Sequence, residues 1–396
     1  MKWIKKRMKI RKRNKILFFL ILILIILLLC IYGIIYLYDK NIDEVDNNLP
    51  LKEDKEYSIK ISMVGDVLIH DSLYNDAWND KEQRYDFSKY LPYIKNKLNE
   101  SDVAYYNQET ILGGSDIGLS SYPSFNSPQE VGDAMIDAGF NLVSLATNHT
   151  IDRGERAVLS SREYWNNQDK VLAIGSYSSD DEKRQLESTI IEKNNIKYAF
   201  LNYTYGTNGN VIPYGKDYLV NLIDKEKISQ DIENIRNKVD LLIVAMHWGV
   251  EYTHTPTDSQ RELAKFLADK DVDIVIGTHT HVIQPVEFIG NTLVFYSLGN
   301  FISAQKSEMC YNYKCFIGLL SSVVVTKNAD SGKIRIDNVM NELIYTYHNN
   351  YKDFMVLPMS DSNIGDYLDN YQSVYNNYAK IIDSSDDRIH TVLLSD

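Results

Sequence analysis

Residues 272–284, V-D-I-V-I-G-T-H-T-H-V-I-Q, limit what this chain can fold into more than any other stretch. Apart from Asp273, residues 272–276 are β-branched and have the composition of a buried strand, which runs to Gly277 with His279 and His281 just beyond. On an extended backbone side chains repeat with a period of two, so both imidazoles are expected to face one metal-sized space. A pair of loop histidines on a surface would show the same spacing, so the neighbouring runs decide between the two readings. Residues 59–64 lead into Gly65-Asp66, 103–106 into Asn107-Gln108-Glu109, 141–146 into Thr147-Asn148-His149, and 241–246 into His247-Trp248-Gly249. Strand-like segments that each deliver Asp, Glu, Asn or His at the carboxyl end are what a parallel α/β sheet offers a ligand, because its crevice lies outside those ends.

Helix signals precede these runs. Ser127-Pro128 reads as an N-cap with proline at the first helical position, the helix stopping at Gly139. Thr257 caps a segment with Leu263, Phe266 and Leu267 on one face, and Ile228, Ile232, Ile235 and Val239 mark another apolar face. Alternation of helix and strand at these lengths argues an α/β domain with parallel strands over residues 57–345. Residues 292–296, 316–325 and 333–339 are β-rich and are expected to form a second sheet packed on the first. Residues 346–396, rich in Asn, Tyr and Asp, form a C-terminal extension with weak helical periodicity at 364–382 and no assigned chemistry.

The amino terminus is of another kind. Residues 1–15 hold nine Lys or Arg and no acidic residue, and residues 16–38 are uncharged, with 34–38 bulky throughout. At about 1.5 Å per residue those 23 residues are long enough for a hydrocarbon core of about 30 Å. The expectation is a single-pass anchor with a cytoplasmic basic tail and everything after Tyr38 outside the cell, Tyr32, Tyr36 and Tyr38 lying near the outer interface. A cleaved signal peptide would have a shorter apolar core and a small-residue cleavage site. Residues 39–56, with seven acidic residues against three lysines, read as a solvated acidic linker.

The net charge of -12 becomes about -21 once the basic tail is set aside. So acidic a domain is a poor partner for nucleic acid, and an anionic substrate must be held locally. Cys30 lies in the apolar span, leaving Cys310 and Cys315, for which an oxidising exterior permits a disulfide; two reduced thiols or a pair of zinc ligands are the other readings. No Gly-x-Ser-x-Gly elbow occurs, and Gly206-Thr207-Asn208-Gly209 reads as turn chemistry.

Oxygens of Asp66, Glu109 and Asn148 with nitrogens of His247, His279 and His281 make a mixed donor set that suits manganese, iron or zinc rather than calcium. Six donors are enough for one or two divalent ions, which would polarise a phosphoryl or acyl oxygen and acidify a bound water. His149 is then free to protonate a leaving group. Asp152 is explained by a helix start, and Arg153 is a candidate for an anionic group. Trp248 is expected to wall the site, Glu251 to support a ligand or touch substrate, and Asn300 to bond a ligand loop; His70 and Asn107 are further candidates for substrate or supporting contacts.

In order, Gly65-Asp66-Val67-Leu68, Asn107-Gln108-Glu109-Thr110, Thr147-Asn148-His149, His247-Trp248-Gly249-Val250-Glu251, Gly277-Thr278-His279-Thr280-His281 and Ser297-Leu298-Gly299-Asn300-Phe301 resemble the motifs of the CapA family, the capsule and poly-γ-glutamate synthesis proteins. These are similar in fold to calcineurin-like metallophosphoesterases. The resemblance covers roughly residues 59–303. It implies a metallophosphoesterase-like four-layer α/β sandwich, two mixed β-sheets flanked by helices, preceded by one transmembrane helix. It also implies that Asp66 and His281 hold one ion, that Asn148, His247 and His279 hold another, that Glu109 stands at the bridging position and that His149 is the catalytic histidine. One departure is plain: the phosphoesterase pattern is Asp-x-His, whereas Leu68 stands two residues after Asp66 and His70 comes two positions too late.

The leading expectation is a membrane-anchored extracellular component of capsule or poly-γ-glutamate synthesis. It would act on or guide an anionic polymer at a metal site, alongside other membrane-bound synthesis proteins. A metal-dependent phosphoesterase or γ-glutamyl amide hydrolase unrelated to capsule, and a non-catalytic scaffold, are the alternatives.

Overall fold

The computed structural model describes residues 1–46, 55–306, 308–311 and 313–394. The chain divides into two compact units, Met1–Asp54 and Lys55–Asp396. In the first, one helix spans Lys2–Asp46. Its segment Trp3–Lys40 is long and apolar enough to cross a membrane, by the same length and composition that a signal sequence near an amino terminus would show. The helix runs through Asp46, into the span expected as a linker, and residues 47–54 of that span lie outside the described ones.

The second unit is built on strands whose alternation sends neighbouring side chains to opposite faces. Six of them deliver the candidate residues: β1 (Glu56–Leu68), β2 (Val103–Gln108), β3 (Leu142–Ser144), β4 (Leu241–His247), β5 (Ile274–Thr278) and β6 (Asn300–Ser303). The first sheet runs Lys352–Pro358, Ile334–Asn349, Ile317–Asn328, β1, β2, β3, Leu172–Ile174, with β6 also pairing β1. The second runs Val286–Ile289, Thr292–Phe295, β5, β4, Ile196–Thr204, Ile191–Lys193. Both are mixed: β1, β2, β3 and Leu172–Ile174 are parallel, as are Ile196–Thr204, β4, β5 and Thr292–Phe295, and antiparallel strands flank each set.

One side of each strand packs between the sheets. Ile61, Met63, Val103 and Tyr105 meet Phe200, Ile243, Ala245 and Ile276 in one apolar cluster. The alternate residues Val64, Ala104, Tyr106 and Val143 face a helical layer through Leu73, Ile94, Met135 and Trp165. On the second sheet Leu201, Val244, Met246 and Val275 do the same against Ile228, Ile232, Leu263 and Leu267. The order helix, sheet, sheet, helix follows from this period of two alone.

Local signals explain the helix ends. Thr257 and Gln260 form the reciprocal capping box that starts Asp258–Ala268, and Gly139 closes Glu130–Ala138 in the left-handed conformation. Ser127 is not that helix's cap: the chain turns through Gln129 first, and the Ser127 hydroxyl donates to Thr110 Oγ1.

Two expectations about the later chain are corrected. The strands after residue 292 do not make a sheet of their own; Thr292–Phe295 joins β5, whereas Ile317–Asn328 pairs β1. The boundary expected after residue 345 falls inside the strand Ile334–Asn349, which Lys352–Pro358 and Ile389–Thr391 both join. Tyr375, Tyr378 and Ile382 of the helix Tyr371–Ile382 are buried in the cluster between the sheets, an amphipathic contribution that composition alone conceals.

Close backbone approach sets the sheet ends. A Cβ on Gly65 would lie 1.7 Å from the Gly299 carbonyl oxygen, and one on Gly277 would lie 2.0 Å from that of Tyr296. Both oxygens are held in place, Gly299 by the Asp66 N–H and Tyr296 by the Trp248 indole N–H. Gly277→Ala is expected to destabilise the second unit by roughly 1–3 kcal/mol or more, read as a lower midpoint in urea unfolding followed by circular dichroism.

Candidate metal centre

The inward-facing rows of the two sheets end in polar residues. On β2, Val103 and Tyr105 are followed at the same spacing by Asn107 and Glu109; on β4, Ile243 and Ala245 are followed by His247. The β1–β2 register shifts between Met63 and Asp66, an irregularity that turns the Asp66 carboxylate to the same end. All of Asp66, Glu109, Asn148, His247, His279 and His281 are buried.

His279 and His281 depart from the expected geometry. Strand β5 stops at Thr278, and both histidines have left-handed backbone, φ 93° and 59°. Such a conformation costs a non-glycine residue of order 1–3 kcal/mol and persists where surroundings impose it. The two rings consequently face neighbouring spaces rather than one. Glu109, His247 and His279 form one group of donors lying within 4.8 Å of one another, and Asp66, Glu109 and His281 form the other. Glu109 belongs to both.

Supporting contacts hold each donor. The Asn107 amide donates to Asp66 Oδ1 at 2.8 Å and its oxygen accepts from Ser144 Oγ at 2.6 Å, which lies 2.8 Å from the Tyr105 hydroxyl. The His279 backbone N–H donates to Asp66 Oδ2. His247 Nδ1 lies 2.9 Å from Thr278 Oγ1, so its Nε2 faces Asn148 Oδ1 at 2.8 Å and Glu109 Oε1 at 4.0 Å. His281 Nδ1 faces Asp66 and Glu109 at 3.8 and 3.7 Å, with Glu251 3.6 Å from its Nε2.

The donor set fits a divalent cation. Both Glu109 oxygens and His279 Nδ1 are buried without a hydrogen-bond partner. A carboxylate so placed is costly unless a cation neutralises it. Burial pushes Asp66 up to about 6 and Glu109 well above the usual carboxylate range, against the pull of His281. Burial, with His281 close by, lowers His279 to about 3. Burial also acts to lower His281, but Glu109, then Glu251 and Asp66, carry it up to about 9. The mixed nitrogen and oxygen donors suit manganese, iron or zinc.

Beside this cluster, His149 Nδ1–H donates to Asp152 Oδ2 at 2.7 Å, and Phe125 packs edge-on at 4.7 Å. Asp152 Oδ2 also accepts from the Phe125 N–H, and Oδ1 from the Asn210 amide at 3.3 Å, so the carboxylate is fixed on two sides. Sequence reasoning gave Asp152 a helix-start role; the signal that could have found it is the His149-x-x-Asp152 spacing within one loop turn. The turn around Asn208 also leans on the site, its side chain accepting from Asn148 Nδ2 at 3.2 Å. Tyr205 lies 4.5 Å from the His279 ring and Tyr252 5.8 Å from that of His281.

Two expectations do not match the geometry. Trp248 does not wall the site: it alternates with His247, donates to the Tyr296 carbonyl and lies in the cluster under the helices. Arg153 is engaged elsewhere, its guanidinium donating to the Gly118 and Ile117 carbonyls and to Ser120. His70 stays beside the site: its Nδ1 lies 3.1 Å from the Leu68 carbonyl, its ring packs edge-on against Phe125 at 5.3 Å, and burial lowers its pKa to about 4. Asn300, in contrast, reaches the site, its Oδ1 3.1 Å from His281 Nδ1. Cys310 and Cys315 are joined in a disulfide.

Because His281 sits at about 9 in the metal-free chain, a cation that takes its Nδ1 must displace a proton. Affinity for manganese is therefore expected to rise roughly tenfold per pH unit between neutral pH and about 9, then level off. Titration calorimetry in buffers of different ionisation enthalpy reads that proton directly. The metal-free fold should behave inversely. Its pKa being raised, His281 stabilises it fully below the ordinary 6.5 and ceases to as pH rises through about 9.

The profile of the family described as bacterial capsule synthesis protein PGA_cap matches residues 60–305. The PGA biosynthesis protein CapA of Bacillus subtilis (strain 168) is 30% identical over 169 residues, 43% of this chain and 44% of that protein. The capsule biosynthesis protein CapA of Bacillus anthracis is 25% identical over 292 residues, 70% of this chain and 67% of its own length. The chain thus spans less than half the length of the first of these relatives. Among solved structures, the calcineurin-like phosphoesterase YfkN from Bacillus subtilis superposes with a TM-score of 0.47 at 13% identity, covering 83% of this chain and 97% of that one. With the family profile spanning the residues that build every strand end described above, the chain belongs to the bacterial capsule synthesis protein PGA_cap family.

Proposed function

We propose that this protein is a membrane-anchored component of capsule or poly-γ-glutamate synthesis whose domain lies outside the cell and acts on the anionic polymer at a centre of two divalent ions. The observation that carries the reading is Glu109, a buried carboxylate with no hydrogen-bond partner, shared by two groups of metal donors in a chain of this family. Asp66, Glu109 and His281 would hold one ion and Glu109, Asn148, His247 and His279 the other. Such ions, when bound, supply Lewis acidity toward a phosphoryl or acyl oxygen and acidify water.

The remaining steps belong to the chain's own side chains. Asp152 fixes the His149 ring through Nδ1, which leaves Nε2 to give a proton to, or take one from, a reacting group. Phe125 limits rotation of that ring and keeps water from one face. Tyr205 and Tyr252 stand beside His279 and His281, where flat side chains can orient a substrate. With a net charge of -12, the chain holds an anionic polymer through this local chemistry rather than through a general attractive field.

The His149–Asp152 pair favours one further reading, a metal-dependent hydrolase of phosphate esters or γ-glutamyl amides outside capsule synthesis. Deletion of the gene in its host separates the two: loss or altered length of surface polymer, restored by the intact gene, supports the first. Unchanged polymer together with turnover of an ester or amide supports the second. In either assay His149→Ala is expected to lower the rate by about 10²–10⁴-fold with metal content unchanged. Full activity in that variant would remove His149 from the chemistry.

A further inference from the structure

Leu68 leaves the ion beside Asp66 without the histidine that an Asp-x-His pattern would supply. His70 does not replace it: the donors that gather there within 4.8 Å of one another are those of Asp66, Glu109 and His281, and His70 is not among them. Another strand reaches the same place. Asn300 opens β6 and is the register partner of Asp66 on the parallel neighbour β1, so the two side chains leave adjacent backbones at the same sheet end. Asn300 is fully buried.

Its amide orientation is determined by its partners. Nδ2 donates to Gln305 Oε1 and to the Cys315 carbonyl, both at 2.9 Å. Both acceptors demand N–H, so a flipped amide would set oxygen against oxygen, and Oδ1 is held toward the metal donors. There it lies 3.1 Å from His281 Nδ1, the nitrogen that faces Asp66 and Glu109. About 3 Å is the separation of adjacent donors that each sit roughly 2.0–2.2 Å from one ion.

We propose that Asn300 Oδ1 is a ligand of the ion held by Asp66, Glu109 and His281, taking the place left by Leu68. This rests on the two-ion reading given above. Asn300 then supplies a neutral oxygen where the phosphoesterase pattern has a neutral nitrogen. The charge of the centre is unchanged, but its preference moves toward harder ions such as manganese. The Gln305 side chain and the Cys315 backbone become the groups that set this ligand in position.

The test is manganese binding to the full chain in detergent, by equilibrium dialysis with elemental analysis and by electron paramagnetic resonance, which distinguishes paired from isolated ions. Wild type and Asn300→Asp are expected to hold two ions, and Asn300→Ala to hold one tightly and the second at least tenfold more weakly, with loss of the paired signal. If Asn300 serves only to tie the loop through its Nδ2 donors, Asp and Ala lose that tie alike. Equal loss in both variants, or two ions retained in Asn300→Ala at wild-type affinity, therefore overturns the proposal. Should Asn300→Ala fail to fold, Asn300→Asp decides alone: two ions sustain the proposal and one overturns it. A wild type with one ion refutes the two-ion reading. In that case weaker binding in Asn300→Ala, restored in Asn300→Asp, still sustains the ligand, and unchanged binding refutes it as well.

Discussion

A buried carboxylate that no hydrogen bond satisfies is the constraint around which this domain is arranged. Glu109 ends the inward row of β2, its two oxygens facing histidines that come from the other sheet. Left alone, such a group would neutralise itself or destabilise the fold. Three neighbouring imidazoles and a second carboxylate instead make a space that a cation would resolve. Since Asp66 and Glu109 leave the first sheet and His247, His279 and His281 the second, an ion bound there would link the two halves of the sandwich, and its binding energy would also be folding energy.

The apolar architecture exists to aim those residues. Period-two alternation sends one row of every strand between the sheets, and the same row carries the donors once the strand passes beyond the apolar cluster. Where simple alternation would misdirect a side chain, the backbone departs from it, through the shifted register before Asp66 and the left-handed residues at 279 and 281. Glycine at 65 and 277 lets backbone carbonyls come closer than any side chain would allow. Regular structure does most of the placing, and a few irregular residues finish it.

Much of this was legible in the sequence, because a buried parallel strand ending in a polar residue is a local pattern. The strands at 59–64, 103–106 and 241–246, the cap at Thr257 and the donor residues could all be read that way. What escaped was non-local. Trp248 looked like part of the site because it adjoins His247, yet adjacency on a strand means opposite faces. Asp152 and Arg153 exchanged importance because a pairing with His149 and a clamp on the carbonyls of residues 117 and 118 exist only in three dimensions. The directions of His279 and His281 depended on two backbone angles that no periodicity announces.

The strand Ile334–Asn349 bears on where this chain can be cut. It pairs with Ile317–Asn328 on one side and with both Lys352–Pro358 and Ile389–Thr391 on the other, so residues that look like a tail close the open margin of the first sheet. A chain shortened to the span matched by the family would lose Ile317–Asn328, the partner of β1 up to Met63, and leave that part of β1 as a margin of unpaired N–H and C=O groups, a surface that invites strand addition from another molecule. The half that carries the metal donors and its plain C-terminal remainder are one compact unit.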